Sequence, residues 1–169
     1  KLALLFLDLD RFKMVNDTFG HAAGDRLLQE VGARLQGCVR AEDMVARLGG
    51  DEFIVILEEV AHVNDVAHLA EKIVAAVARP VALDGKEVVS STSIGISLYP
   101  GDANNPEDLT IAADAALYRA KERGRHTYEF YTAELTTRAL ERLSLENSLR
   151  RALASGELAL YYQPQIDLV

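Results

Sequence analysis

The order of apolar runs predicts an α+β domain of ferredoxin-like plan, a central antiparallel sheet with flanking helices on one face and a β-hairpin at its middle. Three observations carry this. Residues 2–9 form an almost unbroken apolar run ending in Asp8 and Asp10, the pattern of a strand buried on both faces. Segments of helical spacing alternate with strand-like runs along the chain. Gly49 and Gly50 sit between the apolar stretches 44–48 and 53–57. That reads as a tight hairpin, because glycine accepts the positive φ of a two-residue turn.

Taken in order, the first strand is followed by a polar, glycine-punctuated stretch over 11–24, which reads as a loop with room for a helical turn. Residues 25–39 carry Leu27, Leu28, Val31, Leu35 and Cys38 at helical spacing. The hairpin spans 44–57. A second amphipathic helix covers 64–78, with Val66, Leu69, Ile73 and Val77 on one face, and Pro80 ends it. Residues 81–99 are strand-like, with a turn at Asp84-Gly85 and alternation of Ile94, Ile96 and Leu98 with Ser93, Gly95 and Ser97. Asn105 and Pro106 are a helix start, Asn at the N-cap and Pro at the first position, and Gly124 is its stop. Residues 127–131 close the domain as a short strand. The same plan is the palm of many nucleotide-transfer enzymes, although fold alone proves no function.

Three segments follow: a domain over 1–131, a linker helix over 132–156 that is charged and leucine-spaced, and the opening of a second domain over 157–169. The first strand begins at the first residue, so the chain reads as starting inside a domain.

With 169 residues there is room for one domain with a sizeable core and some extra. The net charge of -8 disfavours long nucleic acid, whose phosphates demand cations, but a metal and a few local cations suffice for a nucleotide. Cys38 is the only cysteine, which excludes an internal disulfide and a cysteine metal site; its place on the apolar helix face suggests core. No apolar run is long enough to span a bilayer or serve as a signal peptide. A cytoplasmic location is expected, with any anchor outside this chain.

Several residues could carry chemistry, each beside a plainer reading. Asp51 and Glu52 follow the Gly-Gly turn; neighbouring carboxylates are hard oxygen ligands for Mg²⁺, and Gly49 and Gly50 admit a phosphate to the backbone. On the hairpin alone, an ordinary exposed turn is the favoured account. Asp8 ends the first strand, where ligands gather in α/β-type sheets, and it would meet Asp51 if the hairpin pairs beside that strand. Capping the following loop explains Asp8 equally well, and it is the only role given to Asp10. Asn16 and Asp25 offer an amide and a carboxylate, which together can read guanine. From spacing alone, a turn at Asn16 and an N-cap at Asp25 explain them better. Lys121 and Arg125 close the last helix, either as complements to its dipole or as a phosphate grip. Arg40 and Asp43 read as a surface ion pair.

Together these motifs resemble the GGDEF family of diguanylate cyclases. The resemblance rests on Leu7-Asp8-Leu9-Asp10-Arg11-Phe12-Lys13, Asn16-Asp17-Thr18-Phe19-Gly20-His21 with Gly24-Asp25, Arg47-Leu48-Gly49-Gly50-Asp51-Glu52-Phe53, Ser93-Ile94-Gly95-Ile96-Ser97, and Ala116-Leu117-Tyr118 through Lys121 to Gly124-Arg125. It covers residues 1–131, and the agreement of independent motifs in order is what makes it specific. It implies a nucleotidyl-cyclase palm that condenses two GTP into cyclic di-GMP with release of pyrophosphate. Asp8, the Leu9 carbonyl and Asp51 would hold Mg²⁺ or Mn²⁺. Asn16 and Asp25 would read guanine, with His21 in the same loop. Glu52 would support the metal and help deprotonate the attacking hydroxyl, and Lys121 and Arg125 would grip the terminal phosphates. Because each domain holds one GTP, the active species would be a two-fold homodimer. Arg40-Ala41-Glu42-Asp43 resembles the family's RxxD inhibitory site for the product.

Three departures from the family stand out. Its opening helix and Leu-Thr-Gly-Leu-x-Asn-Arg-like segment would precede Lys1. His126 stands where many members carry Asn. The tail, with Leu160-Tyr161-Tyr162-Gln163-Pro164-Gln165, resembles the start of an EAL phosphodiesterase domain whose hydrolytic carboxylates would lie beyond Val169. The rival expectation is a catalytically silent GTP-binding module that tunes an attached EAL domain, and a third is a related domain using another nucleotide.

Overall fold

The computed structural model describes residues 1–83 and 85–133, with 145, 148, 149, 151–153, 155, 157, 161 and 163. The expected Asp84-Gly85 turn falls partly outside these residues. The linker helix over 132–156 and the second-domain strand lie largely outside them.

The chain runs β1 (Leu2–Asp10), α1 (Phe12–Phe19), α2 (His21–Gln36), β2 (Met44–Gly49), β3 (Glu52–Leu57), α3 (Val63–Val77), β4 (Val81–Leu83), β5 (Lys86–Val88), β6 (Ser91–Tyr99), α4 (Pro106–Glu122) and β7 (Tyr128–Phe130). Five strands form the main sheet in the order β2-β3-β1-β6-β7, and β4 and β5 form a separate ribbon. Only the β6–β7 pair is parallel. β1 is the spine. It pairs β3 from Ala3↔Leu57 to Asp8↔Glu52, and β6 from Leu2↔Tyr99 to Asp10↔Ser91.

Side chains of a strand alternate between faces, and β1 uses both. Ala3, Leu5, Leu7 and Leu9 enter the large core with α1, α2 and α3. Leu4 and Phe6 enter a smaller core with Leu109, Ala113 and Leu117 of α4. The helices therefore cover two faces rather than the single face expected, because an unbroken apolar run needs cover on both sides.

Three local differences from the sequence expectation have clear causes. Residues 12–19 are a helix, not a loop: Arg11 turns left-handed (φ 59) and Phe12, Val15 and Phe19 then line one face. α2 starts at His21, not at Asp25, and ends at Gln36, so Cys38 lies beyond it, half-buried against the core. Residues 81–99 divide into β4, β5 and β6: Leu83 and Lys86 pair on either side of the expected turn, and a further break, not expected, separates β5 from β6. The start of α4 is as expected: Asn105 Oδ1 accepts from Asp108 N at 2.8 Å, with Pro106 in the first turn.

Three residues lock the layers. Arg34 of α2 donates to the carbonyls of Ala76, Val77 and Pro80 at 3.0–3.2 Å, which satisfies the open end of α3. On the other face, a Cβ on Gly95 would overlap the backbone of Ala113 and Leu117, so only glycine lets β6 and α4 meet this closely. Ser97 Oγ adds a 2.8 Å bond to the Leu109 carbonyl.

Candidate functional site

The even-numbered stripe of β1 runs Leu4, Phe6, Asp8, Asp10, apolar under α4 and acidic at its end. Pairing with β3 sets Asp8 opposite Glu52, directly after the Gly49-Gly50 turn. Leu9 N donates to the Asp51 carbonyl at 3.3 Å, which pins the turn to the end of β1. Asp8, Leu9, Asp51 and Glu52 are thus brought together, as the expectation required. Lys121 joins them from the last turn of α4, its Nζ 2.8 Å from Asp8 Oδ2. The turn is braced by Arg47, whose Nε and Nη2 donate to the Gly50 carbonyl at 3.0 and 2.8 Å. Gly50 has φ 53, and a Cβ on either Gly49 or Gly50 would meet only open space.

Burial pushes the Asp8 carboxyl above its ordinary pKa, and the neighbouring Asp51 and Asp10 push it the same way; the Lys121 ammonium pulls it back through hydrogen bond and charge. A cation therefore relieves this site. Thr92 Oγ1 holds the Asp8 carbonyl at 2.9 Å. Leu9 is buried, so only its backbone can face a ligand. No group of three or more His, Cys, Asp or Glu able to hold a metal occurs among the described residues. Two carboxylates and one carbonyl fit a magnesium ion that completes its shell with substrate phosphate and water, rather than an all-protein cage.

Asn16 and Asp25 form a second cluster where α1 meets α2. Asn16 Oδ1 is buried with no hydrogen-bond partner. It lies against Gly24, where a Cβ would overlap it. An unpaired buried amide oxygen beside an exposed carboxylate suits a ligand that donates hydrogen bonds. His21 and Asp25 are exposed one helical turn apart. Asp25 cannot be the N-cap, because α2 begins four residues earlier. α1 starts two residues after β1 ends, so this cluster follows directly from the acidic end of the strand.

Arg125 is exposed just past α4, at the same end of the sheet as Lys121. Arg40 and Asp43 are not part of this assembly. They lie before β2, about 20 Å along the hairpin from its turn at ordinary strand rise. Asp43 accepts from Arg40 N at 2.9 Å and Glu58 N at 3.3 Å, so its carboxylate organises the turn rather than pairing with the Arg40 side chain as an ion pair would require. Both line a cavity of about 170 Å³ with Cys38, Leu57 and Leu69.

Sequence reasoning passed over Arg47 and Thr92, and gave Asp10 only a cap on the loop that follows it; the Asp10 carboxylate instead accepts from Ser91, Ser93 and His126. The even stripe of β1 was the signal available for Asp10. Its partners lie far along the chain and were not legible. Among the described residues no helix is long and apolar enough to cross a membrane.

A family model described as "Diguanylate cyclase, GGDEF domain" matches residues 1–127. The chain is 48% identical over 166 residues to the bifunctional diguanylate cyclase/cyclic di-GMP phosphodiesterase MucR of Pseudomonas aeruginosa, covering 98% of this chain and 24% of that protein. It is 41% identical over 167 residues to the cyclic di-GMP phosphodiesterase NbdA of the same organism, covering 99% of this chain and 21% of that protein. It thus spans less than a quarter of the length of either relative. The solved structure of an N-terminally truncated mutant of TpbB from Pseudomonas aeruginosa, comprising only the GGDEF domain, is similar, with a TM-score of 0.80 and 44% identity over 83% of this chain and 81% of that one.

Proposed function

This chain belongs to the GGDEF family of diguanylate cyclase domains, and from that premise we propose that it condenses two GTP into cyclic di-GMP, as an Mg²⁺-dependent two-fold homodimer. The observation that carries the reading is the meeting of Asp8, Leu9 and Asp51 at one point of the sheet, beside Lys121. Asn16 and Asp25 hold the guanine edge and His21 flanks it. Gly49 and Gly50 let the polyphosphate lie along the backbone of the turn. Lys121 and Arg125 neutralise its terminal phosphates. Asp8, Asp51 and the Leu9 carbonyl hold the metal. When bound, Mg²⁺ or Mn²⁺ neutralises phosphate charge and aligns the groups in line. Glu52 takes the proton of the attacking 3′-hydroxyl. Each 3′-oxygen forms a bond to the α-phosphorus of the other GTP, and each broken bond releases pyrophosphate. Two domains face to face supply the two nucleotides.

The test is incubation of the purified protein with GTP and Mg²⁺ and separation of the products, beside an Asp51→Ala control. Cyclic di-GMP from the unmutated protein alone is the expected result. The relationship to NbdA favours one second reading, a GTP-binding module that turns over nothing and tunes an attached EAL phosphodiesterase. GTP bound but unconverted by the dimer would establish that reading instead.

The Arg40–Asp43 turn, remote from the metal end and set in its own cavity, suits a product-binding inhibitory site. Added cyclic di-GMP should inhibit the unmutated protein and leave Arg40→Ala uninhibited. Equal inhibition of both would remove Arg40 from this role.

A further inference from the structure

Asp10 takes no part in the scheme above, yet it is the one acidic side chain that is buried among the described residues. Its carboxylate accepts three hydrogen bonds. Ser91 Oγ donates to Oδ2 at 2.6 Å and Ser93 Oγ to Oδ1 at 2.7 Å, both from β6. The third comes from the turn after α4, where His126 N donates to Oδ2 at 3.2 Å.

That turn is unusual. Gly124, Arg125 and His126 all have positive φ, at 111, 65 and 52. Glycine accepts this freely, but two successive residues with side chains hold it only where their surroundings impose it. The imposing contacts are few: Arg125 N donates to the Ala120 carbonyl at 3.1 Å, and His126 N to Asp10. Asp10 and Asp8 share one face of β1, two residues apart. Asp8 engages the end of α4 through Lys121, and Asp10 engages the turn immediately beyond it.

We propose that Asp10 is a positioning residue that locks the Gly124–His126 turn and so sets where Lys121 and Arg125 present their charges to a nucleotide polyphosphate. This rests on the reading of Lys121 and Arg125 as phosphate-binding residues. A role confined to folding would weaken every ligand alike. A role in presenting the two cations weakens a triphosphate and spares a ligand that does not reach them.

The experiment is titration calorimetry of the full-length protein with a non-hydrolysable GTP analogue and with GMP, in Mg²⁺. Asp10→Ala is expected to weaken the GTP analogue about tenfold or more, the scale of lost charge-assisted hydrogen bonds, and to leave GMP within about twofold. Asp10→Asn should restore most of that affinity. Its amide oxygen can accept from Ser91 and His126 while its NH₂ donates to the Ser93 hydroxyl. The Ser91→Ala/Ser93→Ala pair carries the same test should Asp10→Ala fail to fold, with a smaller loss in the same triphosphate-selective sense. Loss of both ligands in parallel, or of neither, would overturn the proposal. An unmutated protein that binds neither nucleotide would sink the functional reading and this proposal with it. An unmutated protein that prefers the triphosphate, beside an Asp10→Ala variant that keeps the same preference, would sink this proposal alone.

Discussion

Two pairs of glycines in this domain answer to different masters. Gly24 and Gly95 are buried and shaped by protein: the first leaves room for the Asn16 amide, the second for the backbone of α4. Gly49 and Gly50 of the hairpin turn face open space, with no protein atom within 4 Å of an added Cβ. Packing explains the first pair; in the second, the positive φ of Gly50 accounts for that residue, and neither packing nor a positive φ accounts for Gly49. The difference teaches that Gly24 and Gly95 are required by the atoms packed against them, whereas Gly49 leaves open a space that a ligand could fill.

Substitutions should separate the two kinds. Gly95→Ala is expected to have the largest effect, about 3 kcal/mol or more of lost stability, because neither β6 nor α4 can yield its backbone. Denaturant melting checks it, and a near-native midpoint would break the comparison. Gly24→Ala should cost less, about 1–3 kcal/mol, since the atoms in the way are the ends of the Asn16 and Phe12 side chains. It should also weaken GTP binding by displacing Asn16, measurable by calorimetry beside Asn16→Ala. Gly49→Ala should leave stability within about 0.5 kcal/mol. Its turnover of GTP should nonetheless fall about a hundredfold, the scale of a small misplacement in a reacting site. Full activity in this variant would show that the turn does not receive the phosphates.

The smallest expected effect concerns the acidic end of β1. Asp8 has a pKa raised by burial and by Asp51 and Asp10, so its ionised form is disfavoured in the folded protein. The penalty applies above the raised pKa and vanishes as pH falls to the unfolded value, where the carboxyl is protonated in both states. Asp8→Asn should therefore raise Tm slightly at neutral pH, with the gain fading in acid, while turnover is lost. A lower Tm at neutral pH would mean that the Lys121 ion pair outweighs the desolvation.

Much of this was legible from local pattern. The apolar run of β1, the spacing of Leu27, Leu28, Val31 and Leu35, and the Asn105-Pro106 start each specify an element through contacts within a few residues. α1 was hidden by the polar residues and glycines around Phe12, Val15 and Phe19, and by the left-handed turn at Arg11 that starts it. The turn at Asp84-Gly85 was legible, but the separation of the β4–β5 ribbon from β6 was not, because β5 looks continuous with β6. Asn16 and Asp25 had a plain turn-and-cap account until α2 was seen to begin at His21, which leaves Asp25 exposed on the helix surface.

The chain by itself determined which segments form strands and helices and which residue types are available for chemistry, because periodicity, capping and turn chemistry act between near neighbours. Only the tertiary structure decided which of those residues meet. Asp8 faces Glu52 and holds Lys121 through strand pairing and helix docking across gaps of 44 and 113 positions in the sequence. Asp10 reaches Ser91, Ser93 and His126 across equally long stretches. Such contacts depend on sheet register and on the closeness that Gly95 permits, and no local pattern encodes either.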